Sequence, residues 1–326
     1  MVLRCGAGFG AERIRVENAG MKHFCFLVKT YSGDLDRVLV LLESVAQHNR
    51  DAIDVVVCVP FNEIDLFSGK LEKFDIELIS DESVCSELFD EKTIGFAPGY
   101  LNQQIIKLAF WELGTYEFYL CLDSDCCFIR DFYLHDFFYD SQTPYANLYE
   151  WEPHFLDHEY RRWVSTYKNN LEIIGAELGL NMSKIITCCG CAIFSRTILT
   201  SFKSDFLEPN HYSYKTILKK CPFEFSWYNL WLIKSNLQQV VPVGGFFKVF
   251  HYKKQYNEAR RKAVTKEYLA QMYVGVVLNS NWKPFKAPYH YQNPNWAQLT
   301  GYGLRRFARN VIDSAGKRLI AVVGKG

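Results

Sequence analysis

The chain has 326 residues, of which 49% are hydrophobic and 16% aromatic, and its formal net charge is +1. That length and apolar content support a folded core of one large domain or two small ones, and so even a charge balance excludes a globally basic nucleic-acid-binding protein. The 11 cysteines are odd in number and follow no apolar signal segment, which points to reduced thiols in the cytoplasm, and no apolar run reaches the roughly 18 residues that a membrane-spanning helix needs.

Residues 1–20 show neither helical nor strand periodicity, and their GAGFG lacks the preceding strand that a dinucleotide-binding loop requires. The fold is expected to begin near Met21. HFCFLV (23–28) reads as a buried strand, and DLDRVLVLLESVAQHN (34–49) as an amphipathic helix with Leu35, Val38, Leu41, Leu42 and Val45 inward and Asp34 as its N-cap. DVVVCVP gives a second strand ended by Pro60, IELIS a third, GYLNQQIIKLAFWEL a helix with Leu101, Ile105, Leu108 and either Trp111 or Glu112 on its core face, and EFYLCL a fourth strand. Strands alternating with helices in this way predict an α/β fold with a mostly parallel sheet sandwiched by helices.

After residue 130 the pattern loosens. An aromatic and acidic loop, ANLYEWEPHFLDHEY, precedes a helical stretch to about residue 178. CCGCAIFSR then reads as a strand, PFEFSWYNLWLIKSN as a helix, GGFFKVFHY as a strand and NEARRKAVTKEYLAQMYVGVV (257–277) as one long helix. No Pro/Gly/Ser linker separates the two halves.

DSD, at 123–125, follows the fourth strand, where open parallel sheets place their ligands. In an extended backbone Asp123 and Asp125 point to one side and Ser124 to the other. Two neighbouring carboxylates repel unless a proton or a cation lies between them, and magnesium or manganese with oxygen ligands suits that place and could bridge to phosphates. The plainer alternative is a pair of turn-capping aspartates. Gln103, Gln104 and Lys107 lie within about one turn of each other on the preceding helix and could face the same cleft; a solvated lysine on an open helix face is the competing expectation.

The run GYLNQQIIKLAFWELGTYEFYLCLDSDCCFIRDF, with LVKTYSGDLDRVLVLLES and ISDE before it and FEFSWYNLW after it, resembles bacterial GT-A-fold glycosyltransferases of the capsule and lipopolysaccharide type over about residues 21–255. The resemblance implies a GT-A-like, Rossmann-like catalytic domain over 21–255, with residues 1–20 outside the core and a C-terminal helical region over 256–326. It implies that Asp123 and Asp125 hold Mn2+ or Mg2+ on the diphosphate of a nucleotide sugar, that Thr30 and Tyr31 lie near the nucleoside and Asp81 near the base, and that His251 supplies a third metal ligand. Gln104 and Lys107 are then candidates for the donor phosphates or sugar.

Transfer with inversion requires a base near the acceptor oxygen. Glu224, at the start of the helix after Pro222, is the candidate; an ordinary first-turn glutamate favoured by the helix dipole is the alternative. Glu150, Glu152, Asp157 and Glu159 compete for the role, His154 and His158 could share a helical face at a second metal site, and Tyr149, Trp151, Phe155 and Trp227 suit stacking on a sugar ring. Cys188, Cys189 and Cys191 lack the partners of a zinc finger and read as small apolar residues of a buried strand, with Gly190 open to a sugar.

The tail places Leu304, Phe307, Ala308, Val311, Ile312 and Ala315 at helical spacing, among Arg305, Arg306, Arg309, Lys317 and Arg318 and the single acid Asp313. Residues 303–320 therefore suit either an anionic membrane surface or docking on the catalytic domain. The expectation is a cytoplasmic glycosyltransferase, peripheral at the inner face of the membrane, that moves a sugar from a UDP-linked donor to a glycan or lipid-linked glycan. A nucleotidyltransferase and a non-catalytic glycan-binding protein are the rivals; the first calls for a glycine-rich phosphate loop where this chain has KTYSGDLDR.

Overall fold

The computed structural model describes residues 3–5, 20–150, 161–181, 186–187, 191–280, 282 and 287–306. Its strands are β1 (Leu3–Cys5), β2 (Lys22–Lys29), β3 (Asp54–Val59), β4 (Ile76–Ser80), β5 (Tyr116–Asp123), β6 (Cys126–Phe128), β7 (Tyr145–Asn147), β8 (Tyr149–Glu150), β9 (Ile186–Thr187), β10 (Ile193–Ser195), β11 (Val241–Val243), β12 (Phe247–Phe250) and β13 (Gly275–Leu278). The helices used below are α1 (Leu35–His48), α2 (Ile64–Leu71), α3 (Asp81–Val84), α4 (Pro98–Ala109), α5 (Arg161–Glu177), α6 (Arg196–Ser201), α7 (Tyr214–Lys220), α8 (Glu224–Ser235), α9 (Lys253–Arg261) and α10 (Lys266–Ala270).

The fold is mixed α/β around a mostly parallel sheet. Its main sheet has six strands in the order β1–β4–β3–β2–β5–β10, parallel from β4 to β5 and antiparallel at both edges. The central strands are apolar on both faces because helices cover both. Phe26 and Val28 of β2 pack with Val38, Leu41 and Phe67 of α1 and α2, whereas Cys25 and Leu27, pointing the other way, pack with Leu101, Ile105 and Trp227 of α4 and α8. Leu3–Cys5 adds an edge strand upstream of Met21, a segment too short to show any period.

The chain winds from β2 outward through β3 to β4, then returns to lay β5 on the other side of β2. The carboxyl ends of β2 and β5 thus form the topological switch point, with Lys29 opposite Asp123. Beyond β5 the chain turns into β6, which joins a second sheet in the order β12–β13–β6. Phe128 locks the two sheets together: its ring stacks on Phe26 at 5.6 Å, and its N–H donates to Ser44 Oγ of α1 at 3.0 Å.

Two expected elements need correction or refinement. The stretch 257–277 is not one helix: α9 stops at Arg261, Ala263 takes a left-handed φ of 56°, Thr265 caps α10, and Gly275–Leu278 is strand β13. Val276 and Val277 earn their place there by pairing with β12 on one side and β6 on the other. The expected helix before β5 is α4, whose proline sits at its start, extended by a 3-10 turn that ends at Gly114 with φ 76°. Among the described residues no helix is long and apolar enough to cross a membrane.

Gly275 sits where β12, β13 and β6 meet. A Cβ there would lie 2.6 Å from the Cys127 carbonyl oxygen and against the Phe247 ring. Gly275→Ala is therefore expected to cost ~1–3 kcal/mol in denaturant unfolding; an unchanged midpoint would show that this junction is not close-packed.

Candidate functional site

The aspartate pair does not lie on an extended strand. Asp123 is the last residue of β5, and Ser124 and Asp125 form the turn into β6. The two carboxylates consequently have different surroundings. Asp123 keeps 40% of its side chain exposed, and its Oδ1 accepts a hydrogen bond from Lys107 Nζ at 2.8 Å. Asp125 is held from the second sheet: its Oδ2 accepts from the Ser280 N–H at 2.8 Å, and its carbonyl oxygen accepts from the Leu278 N–H at 3.1 Å. Its Oδ1 is buried with no hydrogen-bond partner among the described residues. Burial first, then the charge of Asp123, pushes the Asp125 carboxyl up to about 7, and the Ser280 N–H opposes them.

Lys107 is not a solvated lysine. It is 2% exposed, on the buried side of α4 with Gln104, so the expected open polar face of that helix is absent at both positions. Its ammonium reaches Glu224 Oε1 at 2.9 Å as well as Asp123, and lies 4.7 Å from the centre of the Phe225 ring. Burial alone would favour loss of its proton, but Asp123 and then Glu224 outweigh burial and raise the Lys107 pKa. The main chain beneath is fixed by Tyr119, whose hydroxyl donates to the Lys107 carbonyl oxygen at 2.7 Å. Gln104 donates to the Tyr100 carbonyl oxygen at 3.3 Å, and its own Oε1 is buried and unpartnered among the described residues.

Glu224 is the first residue of α8 and is 6% exposed. Both earlier expectations meet here, because a first-turn glutamate is also a member of the site. Neither Tyr100 nor Ser280 stood out in the sequence. Tyr100 stacks on Phe96 at 4.6 Å, and burial and then Glu224 raise its phenol.

At the end of β2, Thr30 is buried, its N–H donates to the Cys58 carbonyl oxygen at 3.0 Å, and its Oγ1 has no partner among the described residues. Lys29 Nζ lies 3.0 Å from Asp81 Oδ2 and donates to the Thr30 carbonyl oxygen at 2.7 Å. Asp81 Oδ1 also accepts from the Cys58 thiol at 3.2 Å. Burial raises the Asp81 carboxyl and Lys29 opposes that shift. Asp81 thus has both oxygens engaged. Tyr31 is exposed, and so is Phe61 in the turn after β3, a second aromatic ring that the sequence reading passed over.

His251 follows β12 and donates its backbone N–H to Gln255 Oε1 at 2.9 Å. Phe250 pairs with Leu278, and Leu278 bonds Asp125, so His251 directly follows the strand next but one to the aspartate turn. Among the described residues no three His, Cys, Asp or Glu side chains gather closely enough to hold a metal ion. Trp227 is fully buried and its indole donates to the Cys221 carbonyl oxygen at 2.9 Å, so it packs the core and cannot stack on a sugar. Cys191 is buried with its sulfur 3.3 Å from that of Cys126. Trp151, Glu152, His154, Phe155, Asp157, His158, Glu159, Cys188, Cys189 and Gly190 lie outside the described residues, as do the side chains of Tyr149 and Glu150.

The chain belongs to a family of unknown function (DUF6492), whose family model matches residues 24–270. No curated protein matches it in sequence. Similar solved structures include the galactosyltransferase LgtC in complex with donor and acceptor sugar analogues, at 13% identity over 86% of this chain and 94% of that one, with a TM-score of 0.43. Mouse xyloside xylosyltransferase 1 matches at 12% identity over 80% and 99%, with a TM-score of 0.46. The glycosyltransferase GlyE of Streptococcus pneumoniae TIGR4 matches at 12% identity over 90% and 64%, with a TM-score of 0.43.

Two outcomes follow from the charges at the site. Lys107→Met leaves Asp123 and Glu224 facing each other without their cation, and is expected to lose ~3–5 kcal/mol in denaturant unfolding; adding Glu224→Gln should restore much of that loss. A single variant as stable as the parent would contradict the buried pairing. In protein freed of divalent cations by a chelator, Asp125 holds its proton more tightly folded, at about 7, than at the ordinary value of 3.8. Stability from this group is therefore present at low pH and falls as pH rises to 7. Asp125→Asn, which does not titrate, should be more stable than the parent by ~2–4 kcal/mol above pH 7, with the gap closing near pH 4. Parallel stability curves would remove the buried carboxyl from the account.

Proposed function

We propose that this family member is a GT-A-type glycosyltransferase that moves a sugar from a nucleotide-diphosphate donor, a UDP-sugar, to a bacterial surface glycan, with inversion at the transferred carbon. The observation that carries the reading is the pair Asp123 and Asp125 at the switch point, one carboxylate open to the cleft and the other with a buried oxygen lacking a partner. Oxygen donors of this kind fit Mg2+ or Mn2+, which one or two carboxylates commonly hold together with substrate phosphates. Asp123 and Asp125 would hold that ion together with the donor's phosphates, whereas His251, the third ligand expected from the sequence, does not gather with them; when bound, the ion supplies positive charge to the leaving diphosphate.

The chain's own residues account for the rest. Lys107, its ammonium 2.8 Å from Asp123 Oδ1, adds fixed positive charge at the base of the donor site. Thr30 and the exposed Tyr31 border the place for the nucleoside at the end of β2, and Asp81 shapes that floor through Lys29. Glu224 is the carboxylate on the acceptor side and the candidate to take up the acceptor hydroxyl's proton, with the Lys107 ammonium 2.9 Å from its Oε1. A lipid-linked acceptor would bring the enzyme to the cytoplasmic face of the membrane, where the basic tail over 303–320 is the sequence's candidate contact. Of that tail, residues 307–320 lie outside the described residues.

Asp125→Ala is expected to abolish manganese-dependent transfer from a UDP-sugar while cooperative thermal unfolding persists, and Glu224→Gln to lower kcat by about 100-fold or more with KM for the donor little changed. Full transfer by the Asp125 variant would overturn the donor-site assignment. Full transfer by the Glu224 variant would overturn only the base.

A further inference from the structure

Arg37 stands at the edge of the apolar stripe of α1, one turn before Leu41, where a basic side chain ordinarily keeps its charged head in water. It is instead 8% exposed. A guanidinium out of water needs its donors matched, and two main-chain carbonyls 241 and 250 residues later supply the match: Nη1 donates to the Leu278 carbonyl oxygen at 3.4 Å and Nη2 to the Ala287 carbonyl oxygen at 3.2 Å. Asp34, expected as the N-cap of α1, makes no side-chain capping bond and lies with its Oδ1 3.9 Å from Arg37 Nε. Tyr289 completes the arrangement, with its ring centre 5.1 Å from the guanidinium carbon and its hydroxyl donating to Asp36 Oδ2 at 3.4 Å. Arg37 therefore clamps the chain that leaves β13 against the start of α1.

That chain carries the contacts of Asp125. The Leu278 N–H bonds the Asp125 carbonyl oxygen at 3.1 Å, while the carbonyl of the same residue is the one that Arg37 holds. Leu278 is also the last paired residue of β13, so beyond it the ladder no longer aims the main chain. Two residues on, the Ser280 N–H binds Asp125 Oδ2 at 2.8 Å and leaves Oδ1 buried without a partner among the described residues. Burial and then Asp123 raise the Asp125 carboxyl, and the positive charge of Arg37 opposes them behind the Ser280 N–H, so the guanidinium also lies within electrostatic reach of that carboxylate.

We propose that Arg37 is a positioning residue of the cation site: it holds the strand end whose Ser280 N–H fixes one oxygen of Asp125, and so presents the other oxygen to a divalent cation. The inference rests on the glycosyltransferase reading for the cation and the nucleotide diphosphate, and adds to it the side chain that orients Asp125. Arginine suits the task because its planar fork reaches two carbonyls at once while its face meets a ring, which the single ammonium of lysine does not do.

Calorimetric titration of UDP into the full chain, once with excess manganese and once with a chelator in its place, tests the role without any measurement of transfer. The manganese-dependent gain in UDP affinity is expected to fall by about tenfold or more in Arg37→Met, as for other residues that orient a metal ligand. Arg37→Lys, which keeps the charge and reaches one carbonyl, should lose less, and it keeps the test readable should Arg37→Met not fold. With the chelator, both variants should bind UDP as the parent does. A cooperatively unfolding variant that keeps the parent's manganese gain would overturn the proposal, and so would an equal loss with manganese and with chelator, since Arg37 would then only hold the crevice together. A parent protein that binds UDP no better with manganese than with chelator would instead remove the donor-site reading, and this inference with it.

Discussion

One buried ammonium sets the terms of this structure. Lys107 lies between Asp123 at the end of β5 and Glu224 at the start of α8, and the three come from elements far apart in the chain. An ammonium out of water is tolerated only with its charge matched, and two carboxylates brought this close require it in return. The pairing therefore ties α4 and α8 to the carboxyl end of β5. It also divides the labour of the acids. Asp123 is paired with the Lys107 ammonium, whereas Asp125, two residues later, is held by a single main-chain N–H and left with an oxygen that no described group satisfies.

Sheet topology explains why that cluster forms where it does. The return of the chain from β4 to β5 across β2 opens a crevice at one edge, and side chains at the strand ends converge on it. Lys29, at the end of β2, and Asp81, just after β4, form a second buried ion pair at the same edge of the sheet. The exposed rings of Tyr31 and Phe61 follow β2 and β3, the neighbouring strands at that edge.

Much of this architecture is legible in the residues themselves. The parallel strands announce themselves because strands buried on both faces read as unbroken apolar runs, and Asp123 and Asp125 stand out against the run that precedes them. Lys107 could be located but not interpreted: a lysine between apolar helix positions looks like a solvated one until its partner is known, and Glu224 is 117 residues away. Ser280, which holds Asp125 from 155 residues away, left no local signal at all. The strand at 275–278 was hidden because its valines continue a helical pattern and only pairing with β6 and β12 makes them extended. Trp227 shows the opposite error, since an aromatic in an aromatic-rich chain reads equally well as a sugar platform or as core.

The central claim is that the turn after β5 holds a divalent cation against a nucleotide diphosphate. Thermal unfolding with UDP, with and without manganese, tests it most directly, because a ligand bound only by the native state raises stability by about 2.7 kcal/mol at a hundredfold excess over its Kd. UDP with manganese should stabilise the parent protein, UDP with a chelator should do so far less, and Asp123→Asn with Asp125→Asn should remove the difference. Stabilisation by UDP that ignores both manganese and the two aspartates, or no stabilisation by UDP with manganese, would contradict it.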